Sequence, residues 1–359
     1  VAVGPDSGHI ELLDVTTGER VGGSRFHPGF FSGPVHFVPG GKFVIVTMGR
    51  EAVVWSLSEG RKVRGLGIDS EIFVSPNGQS LLVSEWSGEA SKMVLQDTLS
   101  GKKLGKLDDR NEVFPNAQFS TDGETLAIYS RREPRQKQSV TYVSVKTGEQ
   151  IRTFQPPDLG PPTDKKFPPD LRIKVSPEMT VATETSDRQR IQLWNPPAAK
   201  ELWTWTMPAD CREHLEAVHF VPGGKYVLAE MASRTDIKEG LFVLDAITGK
   251  QLEAIQGKRL EDISSDGRFI AYHVSEGKSA YFCVVRDLQS GETALKVEGV
   301  VHGRFSADNK IFAYDSGNSI EFYDLQSKQR LGPPRPHPAA FMGMTFAPSS
   351  SILAVHYND

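Results

Sequence analysis

The sequence predicts an all-β fold, a β-propeller of eight four-stranded antiparallel blades, and three observations carry that expectation. The first is a short phrase written eight times: an apolar residue, small or Pro residues, then Gly or a polar substitute, then a β-rich run. It reads Phe37-Val-Pro-Gly-Gly41, Val74-Ser-Pro-Asn-Gly78, Phe119-Ser-Thr-Asp-Gly123, Val175-Ser-Pro-Glu-Met179, Phe220-Val-Pro-Gly-Gly224, Ile263-Ser-Ser-Asp-Gly267, Phe305-Ser-Ala-Asp-Asn309 and Phe346-Ala-Pro-Ser-Ser350. The second is its spacing, 37, 45, 56, 45, 43, 42 and 41 residues, which is the period of propeller blades. The third is that no window sustains a capped 3.6-residue pattern.

Each unit has the same internal order. After the phrase comes a buried apolar run, such as Phe43-Val-Ile-Val46, Leu81-Leu-Val83, Leu126-Ala-Ile128 or Tyr226-Val-Leu-Ala229; this is the second strand of a hairpin. A variable polar loop follows. Then comes an alternating third strand that often ends in Asp or Asn, as in Ile10–Asp14, Ile191–Asn195, Leu241–Asp245 and Ile320–Asp324. A Thr-Gly turn (Thr17-Gly18, Thr147-Gly148, Thr248-Gly249) leads to a short outer strand such as Gln150–Phe154. These four strands are called a to d below.

The two ends decide the blade count. Strands c and d of one unit lie at about residues 9–24, and a lone a–b hairpin at about 341–357. Matching Val3 to Val355 spans 352 residues, eight units of 44. The terminal pieces then complete one blade and leave no open sheet edge. Seven blades with unpaired leftovers is the competing count. Residues 1–359 read as a single propeller domain, excerpted from a longer chain because the sequence opens on Val1 without Met.

The turns and the third-strand endings Trp194-Asn195 and Leu244-Asp245 resemble the WD-repeat family of β-propellers along essentially the whole chain, in its divergent bacterial form. The family's Gly-His dipeptide is degenerate here: His337 and His27 stand nine and ten residues before Phe346 and Phe37, and most other units lack it. The resemblance implies a non-catalytic scaffold for protein–protein interaction.

Composition narrows the alternatives. A net charge of −4 argues against a general nucleic-acid or anionic-membrane binder, and no apolar run reaches a membrane-spanning length. Cys211 and Cys283 form no metal spacing and no disulfide framework; both read as buried thiols. They do not fix the compartment.

The search for chemistry finds little. Gly277-Lys278-Ser279 imitates the end of a phosphate loop but lies between strands. His214, Glu216 and His219 do not form H-E-x-x-H and read as structural or surface residues. No Gly-x-Ser-x-Gly elbow occurs. Asp245-Ala-Ile-Thr-Gly-Lys-Gln-Leu-Glu253 resembles the blade motif of quinoprotein dehydrogenases until Glu253 replaces its Trp, and Trp203 stands at the matching place one blade earlier, where it would staple neighbouring blades. That keeps a quinoprotein-like (PQQ) oxidoreductase as the runner-up, with a small-ligand sensor using the central channel as a third reading. No catalytic, cofactor or metal residue is assigned. Trp55, Trp194, Trp203, Trp205, Phe242 and Tyr323 read as core packing between blades.

One stretch breaks the period. Residues 155–170 carry six prolines in sixteen positions, which exclude a helix interior or a central strand and make an extended loop. With the Arg-rich b–c loop at 131–137 it belongs on one face of the propeller. Arg131, Arg132, Arg135, Lys165 and Lys166 on these loops are the candidate binding residues for an acidic or phosphorylated protein or peptide.

Overall fold

The computed structural model describes residues 9–17, 19–26, 31–48, 51–66, 72–86, 91–105, 107, 115–130, 139–157, 172–185, 189–209, 211, 214–231, 240–257, 259–276, 280–299, 302–337, 340–348 and 352–358. Among them the only helical element is the single 3₁₀ turn Pro196–Ala198. All other regular structure is strand, arranged in eight antiparallel sheets: the fold is an eight-bladed β-propeller.

Numbered along the chain, blade 1 combines 9–26 with 340–358, and blades 2 to 8 occupy 31–66, 72–103, 115–154, 172–206, 215–255, 259–298 and 302–336. Blade 1 settles the count. Strand His9–Asp14 pairs antiparallel with Ile352–Asn358, from His9↔Tyr357 to Asp14↔Ile352. The C-terminus therefore supplies strands a and b, and the N-terminus supplies c and d. The match of Val3 to Val355 falls outside the described residues.

Two blades depart from the four-strand rule. In blade 3 strand d shrinks to the bridge Gln96↔Lys103. In blade 8 it is split into Gln329–Arg330 and Arg335–Pro336, on either side of Pro333 and Pro334, which have no N–H to offer a ladder.

The repeated phrase has a local physical cause. It is the a–b turn, and its Ser and Asp or Asn satisfy the turn's backbone donors. In blade 4 the Ser120 hydroxyl donates to Asp122 (2.5 Å) and accepts from Thr125 N (2.9 Å), while Asp122 accepts from Glu124 N (2.9 Å). Blades 3, 7 and 8 repeat this with Ser75/Asn77, Ser264/Asp266 and Ser306/Asp308. The last position of the phrase turns left-handed. Gly123 has φ +76°, and where Gly is absent Met179 (+65°) and Asn309 (+59°) adopt the same conformation. The Asp closing strand c works alike on the c–d side. Asp245 accepts from Ile247 N, Thr248 N and the Thr248 hydroxyl at 2.7–3.1 Å, which lowers its pKa, and Gly249 follows at φ +71°.

The chain divides into two compact units. Residues 71–259 hold blades 3–6, and residues 1–70 with 260–359 hold blades 1, 2, 7 and 8. In the first, Trp203, Trp205 and Met207 of blade 5 pack against Val218, Val227 and Phe242 of blade 6. In the second, Leu13, Met344 and Val355 of blade 1 meet Ile311, Ile320 and Phe322 of blade 8. Each buried aromatic contributes roughly 1.5–3 kcal/mol through apolar burial. Trp194, Trp203, Trp205, Phe242 and Tyr323 are buried as the sequence implies, whereas Trp55 is half-buried. Cys283 is buried, but Cys211 is only half-buried, because it lies in a short connector and not in a sheet.

Candidate functional site

The connections carrying the candidate basic residues leave from one end of blade 4. Residues 131–138 join Thr125–Ser130 to Val140–Ser144, and 155–171 follow Gln150–Phe154. Val140 pairs with both Tyr129 and Phe154, which puts both departures at the same edge. Arg131, Arg132, Arg135, Lys165 and Lys166 themselves lie outside the described residues, as do His27 and Gly277-Lys278-Ser279.

His337 has a different role from a loop contact. Its side chain is 4% exposed, and Nε2 lies 3.1 Å from Asp315 Oδ1. Its backbone N–H donates to Asn318 O (3.1 Å). This His–Asp pair fastens the end of blade 8 to its own b–c turn, so the His337 imidazole is buried in a structural pair. His219 is also structural, with Nε2 2.7 Å from Glu230 Oε2 on the neighbouring strand. Among the described residues no group of three or more His, Cys, Asp or Glu is placed to hold a metal ion.

The densest chemistry lies where blades 7 and 8 meet, on strands Arg259–Ile263, Phe269–Glu276, Ala280–Asp287 and His302–Phe305. Glu261, 2% exposed, is its hub. Oε1 accepts from Arg304 Nη1 (2.8 Å) and lies 3.5 Å from His302 Nδ1. Oε2 lies 3.3 Å from His273 Nε2, and that ring stacks on Tyr281 at 4.8 Å. Arg304 Nη1 also donates to Glu261 O (3.1 Å) and Gly303 O (2.8 Å), so one guanidinium ties strand a of blade 7 to strand a of blade 8.

Burial by itself would raise the Glu261 carboxyl, but the His273 hydrogen bond and the Arg304 charge outweigh it and hold it at about 2. Its neighbour Asp262 goes the other way. Burial pushes it up to about 6, although Phe305 N donates to Oδ2 at 2.8 Å. Cys283, against the same cluster, is pushed up to about 12 by burial and then by the Glu261 charge, so it is no nucleophile at neutral pH. A buried carboxylate held by the Arg304 guanidinium and the His273 ring suits holding two blades in register, and it offers a polar rim where His302 and Arg304 remain about one-third exposed.

No sequence motif marks this cluster, because its members belong to different strands and to two blades. A signal was present: Glu261 takes a strand-a position held by Val35, Ile72, Ala117, Ile173, Val218 and Met344 in other units, and Arg304 follows it after 43 residues, one blade later.

The Trp staple is formed as the sequence implies. Trp203 Nε1 donates to Ala246 O in the next blade (2.9 Å), and its ring lies so close to Gly249 that a Cβ there would be 2.6 Å from Trp203 Cδ2.

No protein-family model matches the sequence, and no curated protein does. The solved structures supply the fold. Dihydro-heme d1 dehydrogenase NirN, in complex with DHE, is similar with a TM-score of 0.61 at 13% identity, over 94% of this chain and 75% of that one. The Dos1 propeller is similar with a TM-score of 0.58 at 10% identity, over 90% of each chain. Sqt1 of Saccharomyces cerevisiae follows with a TM-score of 0.57 at 14% identity, over 90% of this chain and 94% of that one. At these identities the likeness is one of fold. No helix among the described residues is long and apolar enough to cross a membrane.

Proposed function

We propose that this propeller is a non-catalytic protein-interaction platform of the WD-repeat type, in its divergent bacterial form. The observation that carries the reading is where the chain varies. The a–b and c–d turns are short and repeat the same hydrogen bonds, while residues 131–138 and 155–171 are long connections departing from one end of blade 4. A scaffold with constant turns on one side and variable loops on the other is built for recognition through the loops. The net charge of −4 disfavours nucleic acid as the partner, and Arg131, Arg132, Arg135, Lys165 and Lys166 on the two long connections favour an acidic protein or peptide.

Reversing those five charges weakens capture of acidic partners at low salt and leaves the melting temperature nearly unchanged, because exposed charges contribute little to stability. Partners captured equally by parent and variant refute the assignment. The quinoprotein-like alternative is favoured by one observation, the Trp203 ring seated on Gly249 of the motif-like turn. A new absorbance band and dye reduction on adding pyrroloquinoline quinone would replace the scaffold reading with that one.

A further inference from the structure

We propose that residues 330–336, in the split outer strand of blade 8, are a docking segment for a partner domain that reads polyproline through a groove of aromatic rings. The segment shares no residue with the blade 4 loops of the scaffold reading and does not rest on them.

The chain here reads Arg330-Leu-Gly-Pro-Pro-Arg-Pro336. Proline fixes φ at about −65°, and a residue that precedes proline is steered away from the helical region. Pro333 obeys both constraints, Pro334 and Pro336 the first, and Arg335 the second. Four consecutive residues are thus held extended by their own covalent chemistry. In the polyproline II conformation Pro333 and Pro336 lie one three-residue turn apart, on the same side. A partner that takes such a segment has little conformational entropy left to remove.

The blade displays these prolines. Residues 331–334 belong to no strand, Gly332 turns the chain at φ +72°, and Gly332, Pro333, Pro334 and Pro336 are all exposed. Their neighbours are the anchors. Leu331 N donates to Phe322 O (2.8 Å), and its side chain packs on the core shared by blades 8 and 1. Arg335 Nη2 donates to Thr17 O of blade 1 (3.2 Å), and His337 is committed to Asp315 and to Asn318 O. Arg330, whose Nη1 lies 3.0 Å from Glu321 Oε2, stays 56% exposed at the start of the segment and suits a carboxylate at the end of the groove. Protection of an open sheet edge is the simpler role for proline in an outer strand. It does not account for three prolines in four positions, because the outer strands Arg61–Leu66, Gln150–Phe154, Lys200–Thr206, Gln251–Ile255 and Thr293–Glu298 contain none.

The test is a titration of the whole chain against a set of immobilised SH3 domains, each paired with a variant in which the groove tryptophan is replaced by Ala. The expected result is saturable one-to-one binding to at least one domain, lost with its groove variant and weakened about tenfold or more by Pro333→Ala and by Pro336→Ala. A synthetic peptide of residues 329–338 should compete. Reversing the five charges on the blade 4 loops should leave this affinity unchanged, so the segment and the scaffold reading fail separately. Binding by no domain, binding of the peptide but not of the folded chain, parental affinity in both proline variants, or proline variants whose only change is self-association would each overturn the proposal.

Discussion

Two blade junctions in this chain solve one problem with opposite chemistry. Blade 5 meets blade 6 through an apolar cluster centred on Trp203, Trp205 and Phe242, with the last two rings 5.3 Å apart. Blade 7 meets blade 8 through Phe269, Phe305 and Phe312 on one side of the sheet and through Glu261, His302 and Arg304 at the edge. The apolar junction draws its strength from area removed from water, which is non-directional, and takes its register from the Trp203–Ala246 hydrogen bond, the close seat on Gly249 and the Arg172 guanidinium, which donates to Glu216 O. The polar junction is directional from the outset, and its buried carboxylate has to be compensated. At this junction the buried Glu261 carboxylate is compensated by Arg304 of the next blade, in register on its strand a.

The largest effect expected is at the apolar junction. Trp203→Ala should cost about 3–5 kcal/mol, the usual range for deleting a large buried aromatic. Gly249→Ala should also destabilise, since it adds a Cβ 2.6 Å from Trp203 Cδ2 at φ +71°. Chemical denaturation measures both, and a loss below about 1 kcal/mol for Trp203→Ala would mean the staple is incidental.

The polar junction should respond to pH instead. Asp262, raised from 3.8 to about 6, contributes stability that is complete below pH 3.8 and is lost as pH rises through 6. Glu261, lowered from 4.5 to about 2, contributes stability that is present above pH 4.5 and is lost as pH falls toward 2. Replacing Asp262 by Asn should flatten the decline between pH 4 and 6 and leave the acid limb in place. A variant profile with the parent's slope between pH 4 and 6 would sink the assignment. Trp203→Ala should lower the whole profile without changing its shape, which is how the two junctions are told apart.

The smallest effect is local. Lys328 holds φ +56° in the c–d turn of blade 8, and its ammonium lies 3.4 Å from Glu292 in an exposed ion pair. Lys328→Gly should raise stability by roughly 0.5–1 kcal/mol, because glycine takes that conformation without a Cβ clash. A decrease in the unfolding midpoint would show that the Lys328 side chain matters more than its backbone.

Much of the fold was legible because its signals are local. The Ser-x-Asp-Gly phrase is a turn whose hydrogen bonds close within six residues, as Ser120 and Asp122 show, and the Asp ending strand c closes its own turn in the same way. The closing blade could be anticipated because the end pieces were complementary halves of a counted repeat. Met179 and Asn309 mark the edge of this legibility: the sequence shows them replacing Gly, and the structure shows that they take glycine's conformation.

The rest depended on tertiary structure. The amino-acid sequence by itself determined the strand order, the turns and the eightfold count, since each follows from periodicity and from residues a few positions apart. Only the tertiary structure decided that Glu261 is ionised by Arg304 and His273, that neighbouring Asp262 is pushed toward neutrality, and that His337 serves Asp315. The physical reason is distance along the chain. Those partners are about 12 to 43 residues apart and meet only when strands pair and blades stack, and a buried charge takes its properties from the partners it meets there.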